Sequence, residues 1–226
     1  METLELNRMA PITSSMIRPT DRPRSVRDHA KENAEDLALF REFLGGLASG
    51  NRESDERSSR EAFTKIYLRY RERVYAYALR VLSNEQDAED LFQEVFFRVY
   101  TRAESFTEEK SLGGWIFTIA HNLCLNKVRD RKPQDALDDL ALPAEHGSYG
   151  APSDLGEDGR EVIARAMALL PIEYREVIIL REYEGMSYTE ITEILHTTIP
   201  SIKSRLYRAK GKLRELLAPY YKENYR

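Results

Sequence analysis

Three sets of residues in this chain have types and spacing that suit recognition chemistry. The first lies between Ser187 and Arg208. Ser187 followed by Glu190 is a capping-box pattern that opens a short helix. The turn His196-Thr-Thr-Ile199 follows, and Pro200 suits the first position of a second helix. That helix offers Ser201, Lys203, Ser204, Arg205, Tyr207 and Arg208 on its outer face. A helix-turn-helix of this kind lays its second helix in the DNA major groove, where guanidinium groups and hydroxyls meet phosphates and base edges. From Thr197 onward there are eight Lys or Arg against two Asp or Glu, a net of +6. A solvated basic face explains the charge alone. It does not explain the capping box, turn, proline and basic helix together.

The second set is Asp87, Asp90 and Glu94, whose spacing puts them on one helix face. Asp87 and Glu89 also lie in a first helical turn, where the helix dipole favours anions. Residues 83–109 hold eight acids and two bases, so this face repels DNA and suits a basic protein partner. The third set is the stripe Thr118, Asn122, Asn126 and Arg129, with Lys127, Arg131 and Lys132 beside it. Residues 110–132 carry five bases and one acid. Amides read base edges and basic groups hold phosphates. Phe106, in the preceding loop, is a candidate to stack on an unpaired base. Trp115 lies on an apolar stripe and is expected in the core, while Phe117 fits either role.

Catalytic chemistry finds little support. The four His are scattered, and His121 and Cys124 sit one turn apart without a third ligand or base in sequence. There is no Gly-rich phosphate loop. No catalytic residue, metal or cofactor is expected.

The elements that must position these sets follow from periodicity and composition. The chain has 226 residues, of which 42% are hydrophobic and 32% charged. A single Cys excludes an internal disulfide framework. No apolar run approaches the roughly 18 residues of a membrane span, and METLELNRMAPITSS lacks a secretory-signal pattern. A reducing, cytoplasmic setting without membrane insertion is expected. The net charge of −4 argues against a nucleic-acid partner until it is divided along the chain. Residues 133–159 carry seven acids and no Lys or Arg, with three Pro and four Gly, which is linker composition. The flanking blocks 60–132 and 160–226 have net charges of +2 and +3.

Residues 1–59 read as a largely disordered N-terminal extension with a short helix over 36–47, broken at Gly45 and Gly46. In block 60–132, Phe63, Ile66, Tyr67, Tyr70, Val74, Tyr77, Ala78 and Val81 recur at helical steps. A second helix opens at a Ser83–Gln86 capping-box pattern, and a third runs from Leu112 towards Pro133. Block 160–226 reads as four helices, with stops at Pro171 and near Gly185. The expectation is all-α: two small helical domains joined by a flexible acidic linker.

Three segments, DAEDLFQEVFFRVY (87–100), GWIFTIAHNLCLNKVRDRK (114–132) and EGMSYTEITEILHTTIPSIKSRLYRAKGKLRELL (184–217), resemble regions 2 and 4 of extracytoplasmic-function (ECF) sigma factors. The resemblance covers about 60–132 and 160–217, with the motifs in the family's order. It implies that Asp87, Glu89, Asp90, Gln93 and Glu94 dock on the β′ clamp helices of core RNA polymerase. It implies that the segment from Phe106 to Trp115 captures a flipped base of the minus-ten element. The helix bearing Thr118, Asn122, Asn126, Arg129 and Arg131 then follows the non-template strand. Asn126 stands where the family often has Asp. Thr198, Pro200, Ser201, Lys203, Ser204, Arg205 and Arg208 match the helix that reads the minus-thirty-five element. Pro200 stands where the family often has Gly. Further implied partners are the polymerase β flap, promoter DNA and an anti-sigma factor. The competing reading, a helix-turn-helix regulator that is not a sigma factor, explains 184–217 but gives the acidic face and the amide stripe no role. A helical adaptor is a third.

Overall fold

A computed structural model describes residues 26–49, 53–130 and 157–224. Among the described residues there are eight α-helices and no strand. Helices α1 (Val26–Ser49), α2 (Glu53–Leu82), α3 (Glu85–Thr101) and α4 (Leu112–Asp130) pack into a first unit. Helices α5 (Glu157–Ala168), α6 (Ile172–Ile178), α7 (Tyr188–Ile194) and α8 (Ile199–Asn224) build a second. The apolar periodicity of the sequence becomes the core. Phe63, Ile66, Tyr70, Val74, Tyr77, Ala78 and Val81 of α2 are buried, as are Leu91, Phe92, Val95, Phe96 and Val99 of α3. Ile202, Leu206 and Ala209 turn the buried side of α8 inward.

Helix α1 is longer than the expected 36–47, and Gly45 and Gly46 do not end it. Two glycines cost a helix about 2 kcal/mol relative to alanine, but tertiary burial outweighs that. Phe40 and Phe43 are each 1% exposed. Their rings meet Phe106 and Trp115 on one side and Phe63 and Tyr100 on the other. Such pairs contribute beyond their buried area. Gly46 has a packing reason: a Cβ there would overlap the Ser59 side chain and the Asp55 carbonyl of α2. Ser59 Oγ donates to the Phe43 carbonyl at 2.8 Å, across the same close approach.

The start of α3 also departs from the capping-box expectation. Its N-cap is Asn84, whose side chain accepts the Asp87 N–H at 2.9 Å. Ser83 instead takes a left-handed conformation with φ 54° and turns its hydroxyl to Arg175 of α6. The capping box of α7 forms as read, with Ser187 and Glu190 satisfying each other's backbone N–H groups. His196, at φ 48°, makes the turn into α8. That helix begins one residue before Pro200, so the proline is second in it rather than first. Residues 133–156 of the acidic linker lie outside the described residues, and 157–159 open α5.

The two units are not separated. α7 packs on α4, α5 and α6 pack on α2, and the buried residues of both units join in one hydrophobic cluster. The Gly46 contact yields a paired test. Gly46→Ala is expected to destabilise the protein by about 1–3 kcal/mol through overpacking. Gly45→Ala, with open space around it, should be neutral or stabilise by up to about 1 kcal/mol. Urea unfolding of both variants measures the difference.

Candidate nucleic-acid interface

The amide stripe sits on the outer face of α4. Asn122, Asn126 and Arg129 are exposed, and Arg129 Nη2 donates to Asn126 Oδ1 at 3.3 Å. Arg131 lies outside the described residues. Thr118 is half-buried and its hydroxyl donates to the Gly114 carbonyl, so its hydrogen is already committed to its own helix. Trp115 packs against the core as expected, and Phe117 proves to be fully buried. Phe106 does not stand free for stacking. It is 9% exposed, with its ring 4.9 Å from Phe40 and 5.4 Å from Trp115. The loop bearing it is also pinned by Arg41, which pairs with Glu108, and by Asn33, whose Oδ1 accepts the Leu112 N–H at 3.0 Å.

The acidic face of α3 is adjacent. Gln93 and Asp90 are exposed, while Asp87, Glu89 and Glu94 are half-buried. Glu94 pairs with Arg98 one turn along. Asp87 and Asp90 both bind Lys127 of α4, at 2.9 and 3.3 Å. The sequence places Lys127 beside the stripe, and the fold pairs it with the acids.

Thr198, just before α8, is exposed, as are Pro200, Lys203, Ser204 and Arg208 on it, while Ser201 and Arg205 are half-buried. Thr198 Oγ1 accepts the Ser201 N–H at 3.4 Å, fixing the helix start. The ring of Tyr188 on α7 carries Arg181 at 4.5 Å and Lys203 at 5.7 Å from its centroid. Tyr207 is 82% exposed on the same outer face. A row of donors at a helix N-terminus, backed by a packed partner helix, is suited to groove entry.

The two units meet at a buried polar junction that sequence reading did not find. Arg73 of α2 donates from Nε to Glu184 Oε2 at 2.7 Å, with both side chains almost wholly buried. Its guanidinium also lies over the rings of Tyr70 and Phe117. Burial works to lower the Arg73 pKa, but Glu184, Tyr70 and Glu32 together raise it above its ordinary value. Glu176 Oε1 accepts the Tyr77 hydroxyl at 2.7 Å and faces His121 Nδ1 at 2.7 Å. Burial pushes the Tyr77 hydroxyl pKa up, and the Glu176 charge adds to the rise. Arg175 ties α6 to the end of α2, donating to the Val81 carbonyl at 2.6 Å and to Ser83 Oγ at 2.9 Å. Ser111 Oγ donates to Glu190 Oε1 at 2.8 Å and accepts the Gly114 N–H at 3.1 Å. One chain of hydrogen bonds thus links the start of α4 to the capping box of α7. A signal for the junction was present. Arg73 stands in the apolar register of α2, between Tyr70 and Tyr77, where a solvated arginine has no place.

Cys124, the chain's single cysteine, is buried beside this junction, close enough to Tyr77 to act on its hydroxyl. Among the described residues no group of three or more His, Cys, Asp or Glu is placed to hold a metal ion. Among them, too, no helix is long and apolar enough to cross a membrane.

The geometry can be set against known proteins. Residues 66–134 match the Sigma-70 region 2 family, and residues 160–213 match the Sigma-70 region 4 family. Those two matches, in that order, define the class as a sigma-70 factor. The chain is 31% identical over 172 residues to the ECF RNA polymerase sigma factor SigW of Bacillus subtilis, spanning 72% of this chain and 92% of that one. It is 28% identical to the ECF RNA polymerase sigma-E factor of Escherichia coli, over 73% and 91% of the two chains. The sigma factor RpoE of Bartonella quintana, solved with the anti-sigma factor NepR, shares the fold with a TM-score of 0.57 and 29% identity. That match covers 69% of this chain and 96% of RpoE. The chain belongs to the ECF sigma factors, and its function is that of a sigma factor in promoter-specific transcription initiation. The reading as a regulator that is not a sigma factor is set aside.

The junction makes a strong prediction. Glu184→Ala removes the hydrogen-bonded carboxylate from a buried guanidinium and leaves it Glu32 at 3.8 Å, so the cost should sit at the lower end of about 3–5 kcal/mol. A lower urea midpoint is expected. Arg73→Met combined with Glu184→Ala should cost less than the sum of the two single changes, as a double-mutant cycle would record.

Proposed function

We propose that this chain brings core RNA polymerase to promoters through two opposed surfaces. The observation that carries the reading is the adjacency of an acidic face on α3 and an amide-and-basic stripe on α4. On this reading Asp87, Glu89, Asp90, Gln93 and Glu94 dock on the β′ clamp helices. Asn122, Asn126, Arg129 and Arg131 follow the non-template strand of the minus-ten element. Phe106, Trp115 and Thr118 form the floor and wall on which an unpaired base is received. Taking a base out of the stack costs a few kcal/mol, and polymerase contacts share that burden. Phe106 has to shift from Phe40 to offer its face. Thr198, Pro200, Ser201, Lys203, Ser204, Arg205 and Arg208 read the minus-thirty-five element, near the β flap. Pro200 has no N–H to give a phosphate, so the donors of the helix start are its neighbours.

The chain performs no catalysis of its own and needs no cofactor. It acts in the cytoplasm, where polymerase and promoter DNA are, and an anti-sigma factor controls its release. The names of the two elements set them about 25 base pairs apart, which at 3.4 Å per pair is about 85 Å. In this structure α4 and α7 touch through Ser111 and Glu190. Reading both elements together therefore requires the two units to part.

Two variants test the assignment. Asp87→Lys with Asp90→Lys should abolish capture of core polymerase while α8 stays folded by circular dichroism. Retained capture overturns the docking face. Arg205→Ala should weaken minus-thirty-five binding by about 1–3 kcal/mol and leave polymerase capture intact. Unchanged run-off transcription from the cognate promoter counts against that role.

A further inference from the structure

Lys127 differs from every other basic group described on α4. It stands beside the strand-reading stripe, next in sequence to Asn126, and lies between two carboxylates of α3, its Nζ at 2.9 Å from Asp87 and 3.3 Å from Asp90. Glu94 is also neutralised, but by Arg98 of its own helix, which moves with it. Lys127 is different because it comes from the helix assigned to DNA and sits on the face assigned to polymerase. Burial works to lower its pKa, but the hydrogen bonds to Asp87 and Asp90 and their charges raise it, so the ammonium stays protonated.

That position creates a competition. A basic group arriving from a protein partner meets Asp87 and Asp90 already holding a cation. Lys127 and Asp87 are each 29% exposed at their side chains and Asp90 is 64% exposed, so the contact is wet and exchangeable. A lysine suits exchange better than an arginine, because its ammonium is a point charge on a flexible four-carbon stem rather than a rigid fork. Once displaced, the ammonium is repelled by the incoming cation. Lys127 follows Asn126 in the sequence, so its flexible stem can turn to the strand assigned to that helix.

We propose that Lys127 is an exchangeable internal counter-ion: it occupies the polymerase-docking carboxylates in the free protein and is handed to the non-template strand when polymerase takes its place. The inference rests on the assignment of Asp87 and Asp90 to polymerase and of α4 to the minus-ten strand. It makes Lys127 a positioning residue that couples the two binding events. Coupling of this kind is reciprocal: whatever factor polymerase adds to strand binding, the strand adds to polymerase binding.

The test is Lys127→Ala in the full chain, with two readouts. Core polymerase affinity is measured by fluorescence anisotropy. Holoenzyme affinity is measured for a single-stranded minus-ten oligonucleotide across a salt series. The expected changes have opposite signs. Polymerase should bind about two- to fivefold tighter, the scale of one exposed ion pair. The oligonucleotide should bind more weakly by a similar factor, with a salt slope reduced by about 0.7 for the lost phosphate contact. Lys127→Arg should restore the salt slope. A purely structural lysine predicts that both affinities fall together, with a lower urea midpoint; that result overturns the proposal, and so does no change in either. Asp90→Lys, at an exposed site, separates the two failures. If it leaves polymerase binding intact, the docking assignment falls and the exchange with it. If it weakens polymerase binding while Lys127→Ala lacks the opposed pair of effects, the exchange alone falls.

Discussion

The contact on which the arrangement depends is the buried pair Arg73–Glu184, with the Glu176 hub beside it. A charge taken out of water must be compensated by a partner of good geometry, and removing one member leaves the other stranded. Each unit therefore presents a half-satisfied polar group that the other completes. Separation of the units is a different event from mutation. Were the units to part, Arg73 would keep Glu32 at 3.8 Å within its own unit, while Glu184 would lose the guanidinium and could be solvated instead. A polar junction thus fixes the register of the closed form and still lets it open. The contact is mixed: the apolar residues of both units also share one buried cluster, which supplies attraction, while the paired charges supply register.

The parts of the fold that were legible in sequence are those set by neighbours in sequence. The apolar stripes of α2, α3 and α8 repeat at three and four residues, and each became a buried face. The helix-turn-helix was readable because its capping box and turn are local chemistry. What escaped was set by partners far along the chain. α1 runs past two glycines because Phe40 and Phe43 are buried against α2 and α4, a gain that no window around residue 45 contains. Ser83 fits a capping pattern, yet Asn84 caps, because the Ser83 hydroxyl is claimed by Arg175, 92 residues away.

The same limit applied to the site. Asp87, Asp90, Asn122, Asn126 and Arg205 could be placed on faces from spacing alone. Phe106 could not, because whether a ring in a loop is free depends on what packs over it, and here that is Phe40. The junction residues were the least legible. Arg73 and Glu184 are separated by 111 positions, and the acidic segment between their helices reads as a spacer that keeps the units apart. Only the oddity of an arginine in the apolar register of α2 pointed inward.

The spacer has a length that bears on opening. Asp130 ends α4 and Glu157 starts α5, so 27 peptide steps join them. At roughly 3.3–3.6 Å per step the fully extended reach is about 90–97 Å. The two elements lie about 85 Å apart along the duplex. The tether can therefore span them, but with little to spare before the dimensions of the units are added. A neutral chain of that length prefers a much shorter end-to-end distance, and stretching it opposes the second binding event. Residues 133–159 carry seven acids and no Lys or Arg, and like charges in a chain repel one another. The same charge hides two basic blocks, 60–132 and 160–226, in the net −4. Salt screens charge over about a Debye length, so binding of promoter DNA through basic groups is expected to weaken as salt rises.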